Sequence, residues 1–133
     1  MKAIPVAALL IAAAPAALAC EAFWPDMERA ALAVSANHQE QAALRFRLED
    51  AHAVADEYYA DMSAYGEYDG WEADAEAVDA DVAAAEAAVA ERVPFWDAAD
   101  AELLTAIEAH EAACGPDRRT QELLIRHRIS LRR

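Results

Sequence analysis

The chain has 133 residues, with 25 aspartates and glutamates against 11 lysines and arginines, for a net charge of −14. A surface this acidic repels nucleic acid and anionic membrane over most of its area, so no nucleic-acid partner is expected. Glycine is scarce (3 residues) and alanine abundant, the composition of helix, where alanine and glutamate lose little entropy.

The opening reads as a secretory signal peptide. Met1-Lys2 supplies a minimal positive start, an apolar run from Ala3 to Ala16 follows, and Ala17-Leu18-Ala19 forms an A-x-A cleavage pattern. The run is broken by Pro5 and Pro15 and falls short of the roughly 20 strongly apolar residues that a membrane span needs. Cleavage after residue 19 makes Cys20 the first mature residue. Ala17-Leu18-Ala19-Cys20 also resembles a lipobox with its leucine one place late, so the alternative is an outer-membrane lipoprotein acylated at Cys20.

Residues 20–133 suffice for one helical domain, and 29 of these 114 residues are alanine. Charge divides them: residues 20–117 carry 24 acids against 4 arginines, while residues 118–133 carry 6 arginines against Glu122 alone. An acidic body with a basic tail can pair with itself or seek an anionic partner.

Pro25 suits the first turn of a long helix, because its missing N–H costs nothing there, and Asp26 and Glu28 favour the positive end of the dipole. From Val34 a seven-residue repeat sets in. Val34, Gln41, Leu48, Ala55 and Met62 form one row, and Asn37, Leu44, Ala51, Tyr58 and Tyr65 the other. The helix is expected to stop near Gly66, before the glycine-marked break at residues 66–70. A second helical run starts at Trp71, with Val78, Val82, Ala85 and Val89 at spacings of three and four. Pro94 is expected either to kink this helix or to start a new one. The pattern resumes with Trp96, Leu103, Leu104 and Ile107 and stops at Gly115-Pro116. A last short helix is expected from about Asp117 to Ile129, striped by Leu123, Leu124 and Ile129.

These elements predict an all-α fold: a long, antiparallel, coiled-coil-like hairpin (20–115) with a short basic C-terminal helix (116–133). Folding about residues 66–70 brings Cys20 beside Cys114, since their midpoint is residue 67, and a disulfide is expected there. It also predicts Tyr65 near Trp71, Tyr58 near Val78, Leu32 near Leu103 and Leu104, and His110 near Trp24. Two alanine-rich helices bury little, so either the C-terminal helix packs as a third member of a small bundle or two chains associate into a four-helix bundle.

Few residues suggest chemistry. Residues 61–72 match an EF-hand calcium loop at Asp61, Ser63, Gly66, Asp69 and Glu72, but place Tyr65 where an oxygen ligand belongs, and no second copy exists. The alternative is an acidic turn. Glu49-x-x-His52 has di-iron spacing but lacks its partners, and His38 and His127 read as solvated helix residues. Phe23-Trp24 and Phe95-Trp96 are either exposed partner anchors or buried aromatics at helix starts. Arg118, Arg119, Arg126, Arg128, Arg132 and Arg133 offer a site for an anionic partner or weak membrane contact, or dock on the chain's own acidic helices. No phosphate-binding glycine loop, G-x-S-x-G or H-E-x-x-H is present, and neither an enzyme class nor a resident cofactor beyond calcium is suggested. The expectation is an exported, non-catalytic binding or structural protein of the periplasm or envelope, acting on an unidentified protein partner or on itself. A calcium-binding protein and a lipid-anchored spacer are the competing readings.

Overall fold

A computed structural model describes residues 19–131. The expected leader as far as residue 18, together with Arg132 and Arg133, lies outside them. The protein is all-α. Helix α1 spans Trp24–Tyr65, α2 spans Trp71–Cys114 and α3 spans Arg118–Arg126. The two long helices pack together as a hairpin, and among the described residues there is no strand.

The helix limits follow from local chemistry. Gly66 takes φ +84° and returns its N–H to the Met62 carbonyl at 3.0 Å, which closes α1 in a left-handed cap that a side chain would strain. Gly115 does the same for α2, with φ +80° and an N–H to the Glu111 carbonyl at 2.8 Å. Pro94 neither ends nor divides α2, which runs through it. It sits on an exposed position between half-buried Arg92 and buried Trp96, so the backbone bond it forfeits lies away from the helix seam.

The heptad rows read from α1 face inward as expected: Gln41, Leu48, Met62, Leu44 and Tyr58 are half-buried, and Val34 and Ala55 are buried. The rows end before Tyr65, which is 87% exposed, because the chain opposite it is the turn and not α2. Tyr65 is therefore not packed near Trp71. Tyr58 donates its hydroxyl to the Trp71 carbonyl at 2.8 Å. Leu32 also departs from expectation. It is 58% exposed while Leu103 is fully buried, because Ala31 and Val34 take the inward positions and Leu32 projects to the side.

The chain forms two compact units. One joins the segment up to Ala36 with Ala98 onward; the other is Asn37–Asp97. In the first, Trp24, Met27, Ala31 and Val34 of α1 meet Leu103 and Ile107 of α2 and Leu123 of α3 in one buried cluster. The C-terminal helix thus packs as the third member of a small bundle. In the second unit the buried apolar residues are Ala55, Ala85 and Trp96, a far thinner core.

Helix α3 begins on Asp117, whose carboxylate accepts the Arg119 backbone N–H at 2.9 Å. It is shorter than its apolar stripe suggests. Arg128 turns left-handed at φ +54°, so the Ile129 N–H reaches back to the Leu124 carbonyl at 2.9 Å and the Arg128 N–H to the Ile125 carbonyl at 3.1 Å. This Schellman arrangement returns Ile129 to the core as a buried residue beyond the helix, not within it. Replacing Arg128 by glycine, which takes this φ without a Cβ penalty, should stabilise the protein by about 0.5–1 kcal/mol. A urea denaturation midpoint higher than wild type checks it.

Candidate functional site

Three places hold the candidate residues. The first is the open end of the first unit, where Cys20 and Cys114 are joined, with Cα atoms 5.9 Å apart across 94 residues of sequence. One turn inward, the His110 ring lies 5.2 Å from Trp24 and edge-on to Phe23 at 5.8 Å. His110 is 1% exposed and its Nδ1 has no hydrogen-bond partner. This is a packed aromatic position, as the hairpin register predicts. Arg119 closes the cluster from α3: its guanidinium lies 4.1 Å over the Trp24 ring and donates to Glu21 at 2.8 Å.

The basic tail is thereby divided. Arg119 is engaged with Glu21 and Trp24, and Arg118 pairs with Glu122 at 3.0 Å along α3. Arg126 and Arg128 are exposed beside Ile125, which is 75% exposed. His127 is the C-cap of α3.

The second place is the turn. Asp61 and Ser63 lie in α1, Asp69 in the turn itself and Glu72 in the first turn of α2. The first five residues of the calcium template are thus helical. Among the described residues no three histidine, cysteine, aspartate or glutamate side chains are gathered as a metal ion needs. The turn instead carries tyrosines. Tyr68 donates to Asp74 at 2.6 Å, and Tyr59 to Asp79 at 2.8 Å. Those hydrogen bonds, made by the protonated phenols to carboxylates, push both hydroxyls above the usual tyrosine range. The Glu49-x-x-His52 motif gathers nothing; exposed His52 faces Glu86 across the helix pair, with Nε2 3.6 Å from Oε1.

The third place is a polar clasp in the second unit. Glu40 accepts from the Trp96 indole N–H at 3.0 Å and from Arg92 Nε and Nη2 at 3.1 and 3.0 Å. Arg92 also lies 4.7 Å over the Phe95 ring. Trp96 is therefore buried in the middle of α2 and not at a helix start, while Phe95 is exposed beneath the guanidinium. No motif marks this clasp in the sequence. The register could have found it, because folding about residue 67 sets Glu40 between Arg92 and Trp96.

The Trp96 indole and then Arg92 hold the Glu40 carboxyl below its ordinary value of 4.5. Such a group adds stability that is complete above pH 4.5 and is lost as pH falls through the lowered folded value. Glu40→Gln should flatten the acid limb of the stability–pH profile and leave its neutral-to-alkaline shape unchanged. Thermal midpoints measured across acid pH for both proteins check this.

Among the described residues no helix is long and apolar enough to cross a membrane. Compared with protein-family models, curated proteins and solved structures, the chain matches none.

Proposed function

We propose that the protein is an exported, non-catalytic binding or structural protein that works in an oxidising envelope compartment such as the periplasm. The observation that carries this reading is the Cys20–Cys114 disulfide, placed at the first residue after the expected leader cleavage point. A staple in that position forms only where thiols are oxidised, and export is the means of reaching such a compartment. The sulfur that would carry a lipid is occupied by the disulfide, so acylation and stapling of Cys20 are alternatives, and the paired sulfur supports the unlipidated form.

The surface best suited to a partner is the outer side of α3. Arg118 and Arg119 are engaged within the chain; Ile125, Arg126 and Arg128 face outward and suit an acidic protein surface with an apolar recess. Cell fractionation and affinity capture test both parts. The protein should leave the cytoplasm and lose its leader, and a leader-deleted form should stay inside with free thiols. Envelope partners captured by wild type should be lost from an Arg126→Glu, Arg128→Glu variant. Cytoplasmic retention of the full chain would sink the export reading.

A further inference from the structure

The turn end of the second unit holds a small open cavity of about 270 Å³, lined by Tyr58, Asp61, Met62, Tyr65, Gly66 and Tyr68. It is near the lower limit of small-molecule sites, which run from about 300 to 1,000 Å³, so it suits a headgroup-sized ligand. Two of its tyrosines are held in place through their hydroxyls, Tyr58 by the Trp71 carbonyl and Tyr68 by Asp74. Those oxygens are committed, which anchors both residues at the cavity, while Tyr65 stands at its exposed rim.

Electrostatics select the sign of the occupant. Between Leu48 and Glu91 the chain carries 14 acidic residues and no lysine or arginine. Asp61, one of these acids, is among the residues that line the cavity. Aromatic faces attract cations through their quadrupole, and best those that shed their water cheaply. Small metal ions demand several converging oxygens instead, and no such group occurs among the described residues.

We propose that this cup binds a quaternary ammonium group, with the tyrosine faces and Met62 taking the methyl groups and Asp61 balancing the charge. The site is independent of the export reading and of the α3 surface.

Choline is the probe, titrated into the full disulfide-bonded protein and followed by tyrosine and tryptophan fluorescence and by NMR shifts of residues 58–72. Saturable binding with a dissociation constant on the order of millimolar is expected. The uncharged carbon isostere of choline should bind far more weakly. Tyr65→Ala should weaken choline about fivefold, the loss of one exposed cation–π contact, and Asp61→Asn should weaken it comparably. Both residues are exposed at the end of α1, so unchanged helical circular dichroism is the control for folding. Co-sedimentation with phosphatidylcholine vesicles, lost in Tyr65→Ala, assigns the group to a lipid headgroup; choline binding without vesicle binding assigns it to a free solute. The proposal is overturned by no saturation with choline, by equal affinity for the isostere, by unchanged affinity in Tyr65→Ala, or by displacement of choline by micromolar calcium.

Discussion

Breaking the Cys20–Cys114 bond should lower the stability of the protein by about 4–5 kcal/mol, the entropy regained by the unfolded chain when a loop of 94 residues is released. For a chain of this size that is a fall in melting temperature on the order of 15–20 °C. The loss should appear equally on reduction and in Cys20→Ser, Cys114→Ser, and reduction should add nothing in the double variant. The staple closes the unit that carries most of the buried apolar residues, so its release acts first on Trp24, His110 and the α3 contacts. Loss of the Arg119–Trp24 contact and a rise in exposed tryptophan fluorescence should accompany it. A shift of only a few degrees would show that the hairpin is held by packing alone.

The second large effect contrasts the two units. Leu103 is fully buried in the first, against Met27, Val34 and Leu123 of the same cluster. Leu103→Ala removes its transfer free energy and leaves a cavity, for a loss of about 2–5 kcal/mol. Val82→Ala removes a half-buried side chain from the second unit, where the buried apolar residues are Ala55, Ala85 and Trp96, and should cost less than about 1.5 kcal/mol. Chemical denaturation of both variants gives the comparison, and amide hydrogen exchange extends it. Amides of residues 37–97 should exchange through smaller opening free energies than those flanking Leu103 and Ile107. Equal costs for the two substitutions would contradict a core concentrated in one unit.

Much of this was legible from spacing. The heptad rows along α1, the glycine caps at Gly66 and Gly115 and the disulfide all follow from periodicity and from one folding point. What the sequence concealed has local causes. Leu32 and Val34 are equally hydrophobic, and only helix rotation decides that one is exposed and the other buried. Pro94 reads equally as a kink or as the start of a new helix, and only the packed structure decides that α2 runs through it. Arg128 is a poor left-handed residue, so nothing in its identity announces the cap that swings Ile129 inward; the return of Ile129 to the core dictates it. At the candidate sites, side-chain types alone do not give the placement. The acidic residues of 61–72 suggest a metal, while the geometry brings Tyr58, Tyr65 and Tyr68 to one cavity and spreads the carboxylates over two helices and a turn. The arginines of the tail look equivalent in sequence, yet Arg119 is engaged with Trp24 and Glu21 while Arg126 and Arg128 face outward.

Export and stapling meet in a single observable, the intact mass of the protein recovered from the producing cell's envelope fraction and alkylated before and after reduction. The expected species begins at Cys20, lacks two hydrogens relative to the dithiol chain, carries no lipid, and takes up alkyl groups at two sites only after reduction. A retained leader, a diacylglyceryl adduct on Cys20, or two thiols alkylated without reduction would contradict it.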